Sequence, residues 1–130
     1  MTTTARPRTE VEAEIKETLG LVPSFFATIP EDMLDHEWQI FQRMEFGETH
    51  IPNKYKELLM LAVHSETRCR YCTLFHTEAA KLFGATEEEI QEAVHLAKYT
   101  VGWSVYLNGM REDEDRFADE LARIGEHLSS

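Results

Sequence analysis

The sequence predicts an all-α protein. Apolar residues recur at spacings of three and four along most of the chain, and no run alternates apolar and polar residues as a half-buried strand would. Proline, glycine and helix-capping residues divide the chain into short pieces. With 130 residues, the chain is long enough to bury a core of its own. We therefore expect one domain, residues 1–130, built from about six to seven helices.

The first three predicted helical segments are packing elements. Residues 9–19 and 31–46 carry apolar side chains on successive turns and are followed by Gly20 and Gly47, which favour helix ends. Residues 22–30 lie between two prolines and should form about one helical turn whose aromatic side chains pack inward. The residues that set the helical spacing are Val11, Ile15 and Leu19 in the first segment and Leu34, Trp38 and Phe41 in the third.

Three further helices follow. Pro52 suits the first turn of a helix that is nearly continuous in apolar residues over residues 55–63, so we expect this helix to be central. A fifth helix should begin near Cys69 and end at Gly84. Thr86 with Glu89 forms a capping-box pattern that opens the sixth.

The C-terminal part of the sequence contains the end of the sixth predicted helix and a seventh helix. Gly102 is expected to bend or interrupt the sixth helix, which should end at the Asn108-Gly109 pair. We interpret Trp103 and Tyr106 as core side chains. The seventh helix, residues 112–128, has a charged side and an apolar side formed by Phe117, Leu121, Ile124 and Leu128.

Charge and composition exclude several classes of protein. The net charge is −11, with 24 acidic residues against 13 basic ones, which argues against a nucleic-acid partner. No stretch approaches the length of apolar sequence that a membrane span needs, and no apolar region follows the basic N-terminus as in a signal peptide. We therefore expect a soluble cytoplasmic protein that binds neither membrane nor nucleic acid.

The two cysteines require a chemical explanation. Cys69 and Cys72 are too few and too close together for a secreted disulfide scaffold, and His76 follows four residues later. On a helix these three side chains fall within an arc of about 60°. Thiol chemistry uses such a grouping, because a base generates the thiolate and a second thiol captures the oxidised sulfur. A helix N-terminus near Cys69 would also stabilise a thiolate.

Zinc binding is the competing interpretation of these residues. Cys69, Cys72 and His76 would provide three ligands, but a structural zinc site needs four, and no second Cys-x-x-Cys or His-x-x-x-His completes the set. No nicotinamide or flavin fingerprint is visible either. We therefore expect no metal and no cofactor, so that electrons come from a partner.

The four-residue pattern Glu57-x11-Cys69-x-x-Cys72-x-x-x-His76 resembles the alkylhydroperoxidase D (AhpD)-like branch of the carboxymuconolactone decarboxylase family. The resemblance covers residues 35–110. It implies a peroxidase in which Cys72 attacks a hydroperoxide, Cys69 then forms a disulfide with it, and a thiol or dithiol reductant protein restores the pair. It also implies a proton relay through Glu57 and His76, and a homo-oligomer, either a trimer or a hexamer.

Two points of the resemblance depend on single positions. Some relatives have a histidine immediately before the second cysteine, where this chain has Tyr71, and a neutral tyrosine is a poor base at neutral pH. His64, seven residues after Glu57, is a possible substitute, although a partly exposed histidine at a helix end is the simpler interpretation. The helix dipole alone would make Cys69 the more acidic thiol, so the role of Cys72 rests on the resemblance.

Glu57 precedes the apolar residues 58–63, so we expect a partly buried carboxyl group with a raised pKa. Two other functions stay open. One is a decarboxylase-like lyase of the same family, which would use a base and no thiols. The other is a dithiol sensor that is oxidised without turning over.

Overall fold

The structure, a computed structural model, describes residues 4–130 and consists there of seven α-helices and one π-helical turn, with no strand. The all-α prediction is confirmed. Residues 1–3, which the predicted domain includes, lie outside the described residues. The elements are α1 (Arg8–Leu19), α2 (Ser24–Ala27), α3 (Glu31–Phe41), the π-helical turn (Gln42–Phe46), α4 (Asn53–Thr67), α5 (Arg70–Leu82), α6 (Glu87–Gly109) and α7 (Glu114–Ser129).

The first three helices enclose an apolar cluster. Its buried members are Val11, Ile15, Phe26, Leu34 and Trp38. Burial of these side chains provides the main stabilisation of this part of the fold. The expectation that the aromatic residues of segment 22–30 pack inward is correct for Phe26 and wrong for Phe25, whose side chain is 52% exposed. A single helical turn directs only one of two consecutive side chains towards the core.

α4 is central, as predicted, because it packs against both α5 and α6. A second buried cluster forms between these helices from Leu61, Ala80 and Ile90. Not all apolar side chains of α4 are covered by this cluster. Leu59 and Val63 are exposed.

The predicted helix over residues 31–46 changes its geometry at Gln42. From Gln42 to Phe46 the turns are π-helical, and the Gly47 N–H donates to the Gln42 carbonyl over 2.7 Å. Gly47 is required by this close approach, because a Cβ there would lie 3.0 Å from the Arg43 carbonyl oxygen. The Lys56 ammonium group donates to the Gly47 carbonyl over 2.9 Å and so joins the turn to α4.

The sixth helix confirms two predictions, its capping box and its end at Asn108-Gly109, and contradicts two. Thr86 and Glu89 form the predicted capping box, with reciprocal hydrogen bonds of 2.9 and 3.0 Å. Gly102 does not interrupt the helix, which is continuous to Gly109. Trp103 and Tyr106 are not core residues, since they are 51% and 60% exposed. The regular spacing of apolar side chains on a helix does not require that a neighbouring element covers them. α7 shows the same feature, since it has an apolar side but no buried residue.

None of the helices within residues 4–130 has the character of a membrane span. No helix there combines the length and the apolar composition that crossing a bilayer needs.

The first cluster generates a prediction about stability. Leu34 is fully buried, so Leu34→Ala should lower the free energy of unfolding by about 2–5 kcal/mol through lost transfer energy and a cavity. The neighbouring Met33 is exposed, so the matched change Met33→Ala should alter it by about 0.5 kcal/mol or less. Urea unfolding monitored by circular dichroism measures both. Equal effects of the two substitutions would contradict this packing.

Candidate functional site

The loop between α4 and α5 is short and places the cysteines at the start of α5. Arg68 ends α4 in the left-handed conformation, with φ of 61°, and Cys69 is the N-cap of α5. The Cys69 sulfur accepts a hydrogen bond from the Cys72 N–H over 3.2 Å. The predicted Cys-x-x-Cys at a helix N-terminus is confirmed, and the Cys69 sulfur lies at the partly positive end of the helix dipole.

Cys69 and Cys72 form a disulfide, with their Cα atoms 5.3 Å apart. Both residues are half-buried. The bridge closes a loop of very few residues, so it adds little constraint to the unfolded chain. A disulfide of this kind is better suited to reversible redox chemistry than to stabilising the fold.

Glu57 and His76 form a buried pair between α4 and α5. The His76 Nδ1 and the Glu57 Oε2 atoms are 2.7 Å apart, and the two residues are 7% and 0% exposed. Burial raises the pKa of Glu57, as its apolar neighbours indicated, and burial lowers the pKa of His76. When Glu57 is ionised, Nδ1 carries the proton that it donates, which leaves Nε2 as the basic nitrogen of His76.

His64 lies beside the cysteines. One ring nitrogen of His64 and the sulfur atoms of Cys69 and Cys72 are all within 4.8 Å of one another. The His64 ring also stacks on the His76 ring, with 5.6 Å between centroids and 4° between planes. His64 is half-buried at the end of α4, as the simpler interpretation stated, and it also connects the dithiol to the His76–Glu57 pair.

Tyr71 lies outside this grouping. Its side chain is 72% exposed, and its hydroxyl group accepts a hydrogen bond from Arg70 over 3.1 Å. The Tyr71 hydroxyl group is thus directed to an exposed partner, whereas His64 has a ring nitrogen close to both sulfur atoms.

Glu45 belongs to the site, and the sequence analysis missed it. The π-helical turn brings one carboxyl oxygen of Glu45 within 4.8 Å of an oxygen of Glu57 and a nitrogen of His76. Burial raises the pKa of Glu45 to about 8, and the neighbouring Glu57 carboxyl group adds to this shift. The only signal in the sequence is a carboxylate between the apolar residues Met44 and Phe46, two residues before Gly47.

Two groups of side chains have the spacing of metal ligands. They are His64 with Cys69 and Cys72, and Glu45 with Glu57 and His76. Each group offers three ligands, one fewer than a structural zinc site uses, and the sulfur atoms of the first are bonded to each other. A catalytic zinc site also uses three protein ligands, so the count alone does not decide the chemistry. The disulfide favours redox chemistry for the first group.

The fold and the site geometry agree with the comparison with known families. The sequence model of the carboxymuconolactone decarboxylase family matches residues 29–115, which is more than half of the chain. The chain belongs to the carboxymuconolactone decarboxylase family. This match includes all four residues on which the predicted resemblance rests, Glu57, Cys69, Cys72 and His76, and it confirms that prediction.

Two known proteins are similar to this family member. The crystal structure of the alkylhydroperoxidase AhpD core from Rhodospirillum rubrum has the same fold, with a TM-score of 0.71 over 85% of each chain and 23% sequence identity. A protein of Paracoccus denitrificans described as uncharacterized protein 4 in the cox locus is 30% identical over 64 residues, or 49% of this chain. The match covers 58% of that relative's length.

The raised pKa of Glu45 generates a prediction about pH. Between the ordinary value of 4.5 and about 8, the folded protein keeps a proton on Glu45 that the unfolded chain releases. The contribution of Glu45 to stability therefore falls as pH rises through this range. Glu45→Gln cannot titrate, so the melting temperature of the native protein minus that of the variant should decrease from pH 5 to pH 8 and then level off.

Thermal unfolding monitored by circular dichroism at pH 5 to 9 measures this difference. Glu48→Gln is the matched control, because it removes an exposed carboxylate three residues away. The difference in melting temperature between the native protein and Glu48→Gln should not change with pH. Parallel curves for the native protein and Glu45→Gln would contradict the assignment.

Proposed function

We propose that this protein is a thiol-dependent peroxidase that reduces hydroperoxides through Cys69 and Cys72, with Glu57 and His76 as its proton relay. The observation that carries the proposal is a disulfide at a helix N-terminus one turn away from a buried histidine–glutamate pair. Neither feature alone is specific. Together they supply a nucleophile, a resolving thiol and a group that moves protons.

In the first step, the Cys72 thiolate attacks one oxygen of the hydroperoxide. An S–O bond forms as the O–O bond breaks, so Cys72 becomes a sulfenic acid and the remaining oxygen leaves as an alkoxide that is protonated to the alcohol. His76 is four residues from Cys72 on α5, hence on the same face. With Nδ1 bonded to Glu57, its Nε2 accepts the thiol proton and later returns it to the leaving group.

In the second step, the Cys69 sulfur attacks the sulfenic acid of Cys72 and releases water. The product is the disulfide between these residues. A dithiol reductant then supplies two electrons and two protons by exchange and becomes a disulfide itself. A cytoplasmic setting, in which dithiol reductants keep most thiols reduced, suits this cycle.

The order of the two cysteines has opposing arguments. Cys69 is the N-cap and its sulfur accepts the Cys72 N–H, which favours a thiolate at Cys69. Cys72 is one helical turn from His76, which gives it the nearer proton acceptor. We propose that Cys72 reacts with the peroxide and that Cys69, once ionised, is the resolving nucleophile. His64, beside both sulfur atoms, is the candidate for deprotonating Cys69.

A lyase that uses no thiols is the second candidate, because the family to which the chain belongs is named for a decarboxylase. The His76–Glu57 pair would serve as its base. Such an enzyme would retain activity without the cysteines. A redox sensor would form the disulfide once and would show no sustained consumption of reductant.

The proposed cycle predicts opposite roles for the two thiols. With cumene hydroperoxide as substrate and dithiothreitol as reductant, Cys72→Ser should abolish peroxide consumption because it removes the nucleophile. In Cys69→Ser, Cys72 should still be oxidised once by peroxide, and dimedone should label the resulting sulfenic acid. Mass spectrometry of the labelled peptide identifies the cysteine.

The matched control for these substitutions is Thr73→Ser, a change of similar size on the next residue, which should keep its activity. Sulfenic acid on Cys69 in the Cys72→Ser protein would reverse the assigned order. Equal peroxide consumption by the native protein and both cysteine variants would reject the thiol-dependent peroxidase.

We also propose that the protein is a homo-oligomer. Apolar side chains of α6 and α7 are exposed in a pattern that a monomer would leave in contact with water. They are Leu96, Tyr99, Trp103, Val105 and Tyr106 on α6, and Phe117, Leu121, Ile124 and Leu128 on α7. Exposed apolar surface of this extent is typical of protein–protein interfaces.

This proposal predicts that the apolar stripe of α7 maintains the assembly. Leu121→Glu places a carboxylate in the middle of the stripe and should dissociate the oligomer, because an unpaired charge is costly in an interface. Ala122→Glu adds the same charge outside the stripe and should leave the oligomer intact. Gel filtration with light scattering measures the mass of each variant. A native protein with the mass of one chain would contradict the proposal.

A further inference from the structure

The π-helical turn places a second carboxyl group behind the His76–Glu57 pair. Glu45 is carried by this turn, and its position is maintained by the close approach at Gly47 and by the Lys56 ammonium group, which donates to the Gly47 carbonyl. π-Helical turns within helices are frequent at functional sites. An α-helical continuation of α3 would direct the side chain of residue 45 differently.

Two carboxyl oxygen atoms, one from each of these neighbouring glutamates, have no hydrogen-bond partner among the described residues. Glu45 Oε2 and Glu57 Oε1 are both buried and unpaired. The other oxygen of Glu57 is already bonded to His76. Glu57 is completely buried, so water does not solvate its free oxygen. A buried carboxylate without a donor is costly, and a proton on the neighbouring carboxyl group would supply that donor.

The charges around Glu45 identify which group holds this proton. The titratable or charged groups that act on Glu45 are Glu57 and Lys56 from α4 and His76 from α5. Lys56 and His76 favour its ionised form, whereas burial and Glu57 oppose it more strongly. The interaction between the two neighbouring carboxyl groups lowers the pKa of Glu57 and raises that of Glu45. The proton therefore belongs to Glu45 when Glu57 is ionised.

We propose that Glu45 is a positioning residue of the proton relay, which shares a proton with Glu57 and thereby keeps Glu57 ionised towards His76. The inference rests on the proposed function only for its effect on Cys72. Protonated Glu45 donates to the free oxygen of Glu57, and Glu57 then accepts the Nδ1 proton of His76. This arrangement orients His76 with its basic Nε2 available to the thiol.

The first test measures the proton itself and does not require peroxide turnover. In oxidised protein labelled with ¹³C at glutamate carboxyl groups, one resonance should titrate near pH 8, and it should be missing in Glu45→Gln. EDTA is present throughout, so that no cation can hold the two carboxyl groups together. The control Glu48→Gln should retain this resonance. A Glu45 resonance that titrates near its ordinary value of 4.5 would overturn the proposal.

The second test measures the effect on Cys72. In reduced protein carrying Cys69→Ser, the rate of iodoacetamide alkylation reports on Cys72 alone. Glu45→Ala leaves Glu57 without its donor and should slow alkylation about fivefold at pH 7, the loss expected for one hydrogen bond. Glu45→Gln keeps a donor and should restore most of the rate. The rate with Glu45 present, divided by the rate in Glu45→Gln, should fall as pH rises through about 8, because ionised Glu45 disfavours the thiolate.

A structural role alone would give equal losses in Glu45→Ala and Glu45→Gln. The rate with Glu45 present, divided by the rate in Glu45→Gln, would then stay constant across pH, and that result would overturn the proposal. An unchanged rate in Glu45→Ala would overturn it as well. Neither test uses a peroxide. A protein that passes both but does not consume peroxide would therefore reject the proposed peroxidase without affecting the shared proton.

Discussion

The hydrogen bond between His76 and Glu57 joins α4 to α5 at a point where both residues are buried. Much of the remaining arrangement depends on it. A fully buried carboxyl group is costly unless it is hydrogen-bonded, so the position of Glu57 on α4 favours a packing of α5 that brings His76 to it. Because Cys72 lies one turn before His76, the same constraint determines where the sulfur atoms lie relative to the base.

The buried pair is supported from the other side by the N-terminal half of the chain. α1 to α3 form one apolar cluster, and the helices around α4 form another. The π-helical turn between them carries Glu45 to the Glu57 side chain. The π-helical turn therefore connects the apolar packing of the N-terminal cluster to the charged groups of the site. His64 makes the corresponding connection towards the disulfide by stacking on His76.

Local patterns predicted most of the secondary structure and the four-residue constellation. The capping box at Thr86, the glycine after α1 and the spacing of apolar residues act over one or two helical turns, so they can be recognised without a neighbour. Cys69, Cys72 and His76 are close in sequence, and a helix brings them to one face. The pairing of His76 with Glu57, nineteen residues away, was expected from the family resemblance. In the structure it is a hydrogen bond between His76 Nδ1 and Glu57 Oε2.

The tertiary structure decided three features that no local pattern contains. Glu45 reaches Glu57 because a π-helical turn alters the direction of its side chain. His64 lies beside the sulfur atoms because the loop after α4 brings the start of α5 next to the end of α4. Trp103 is exposed, which its helical spacing could not show. The spacing predicts an apolar face of the helix but not whether another element covers that face. The sequence alone thus determined the helices and the chemical types in the site, whereas packing between distant segments decided which side chains meet.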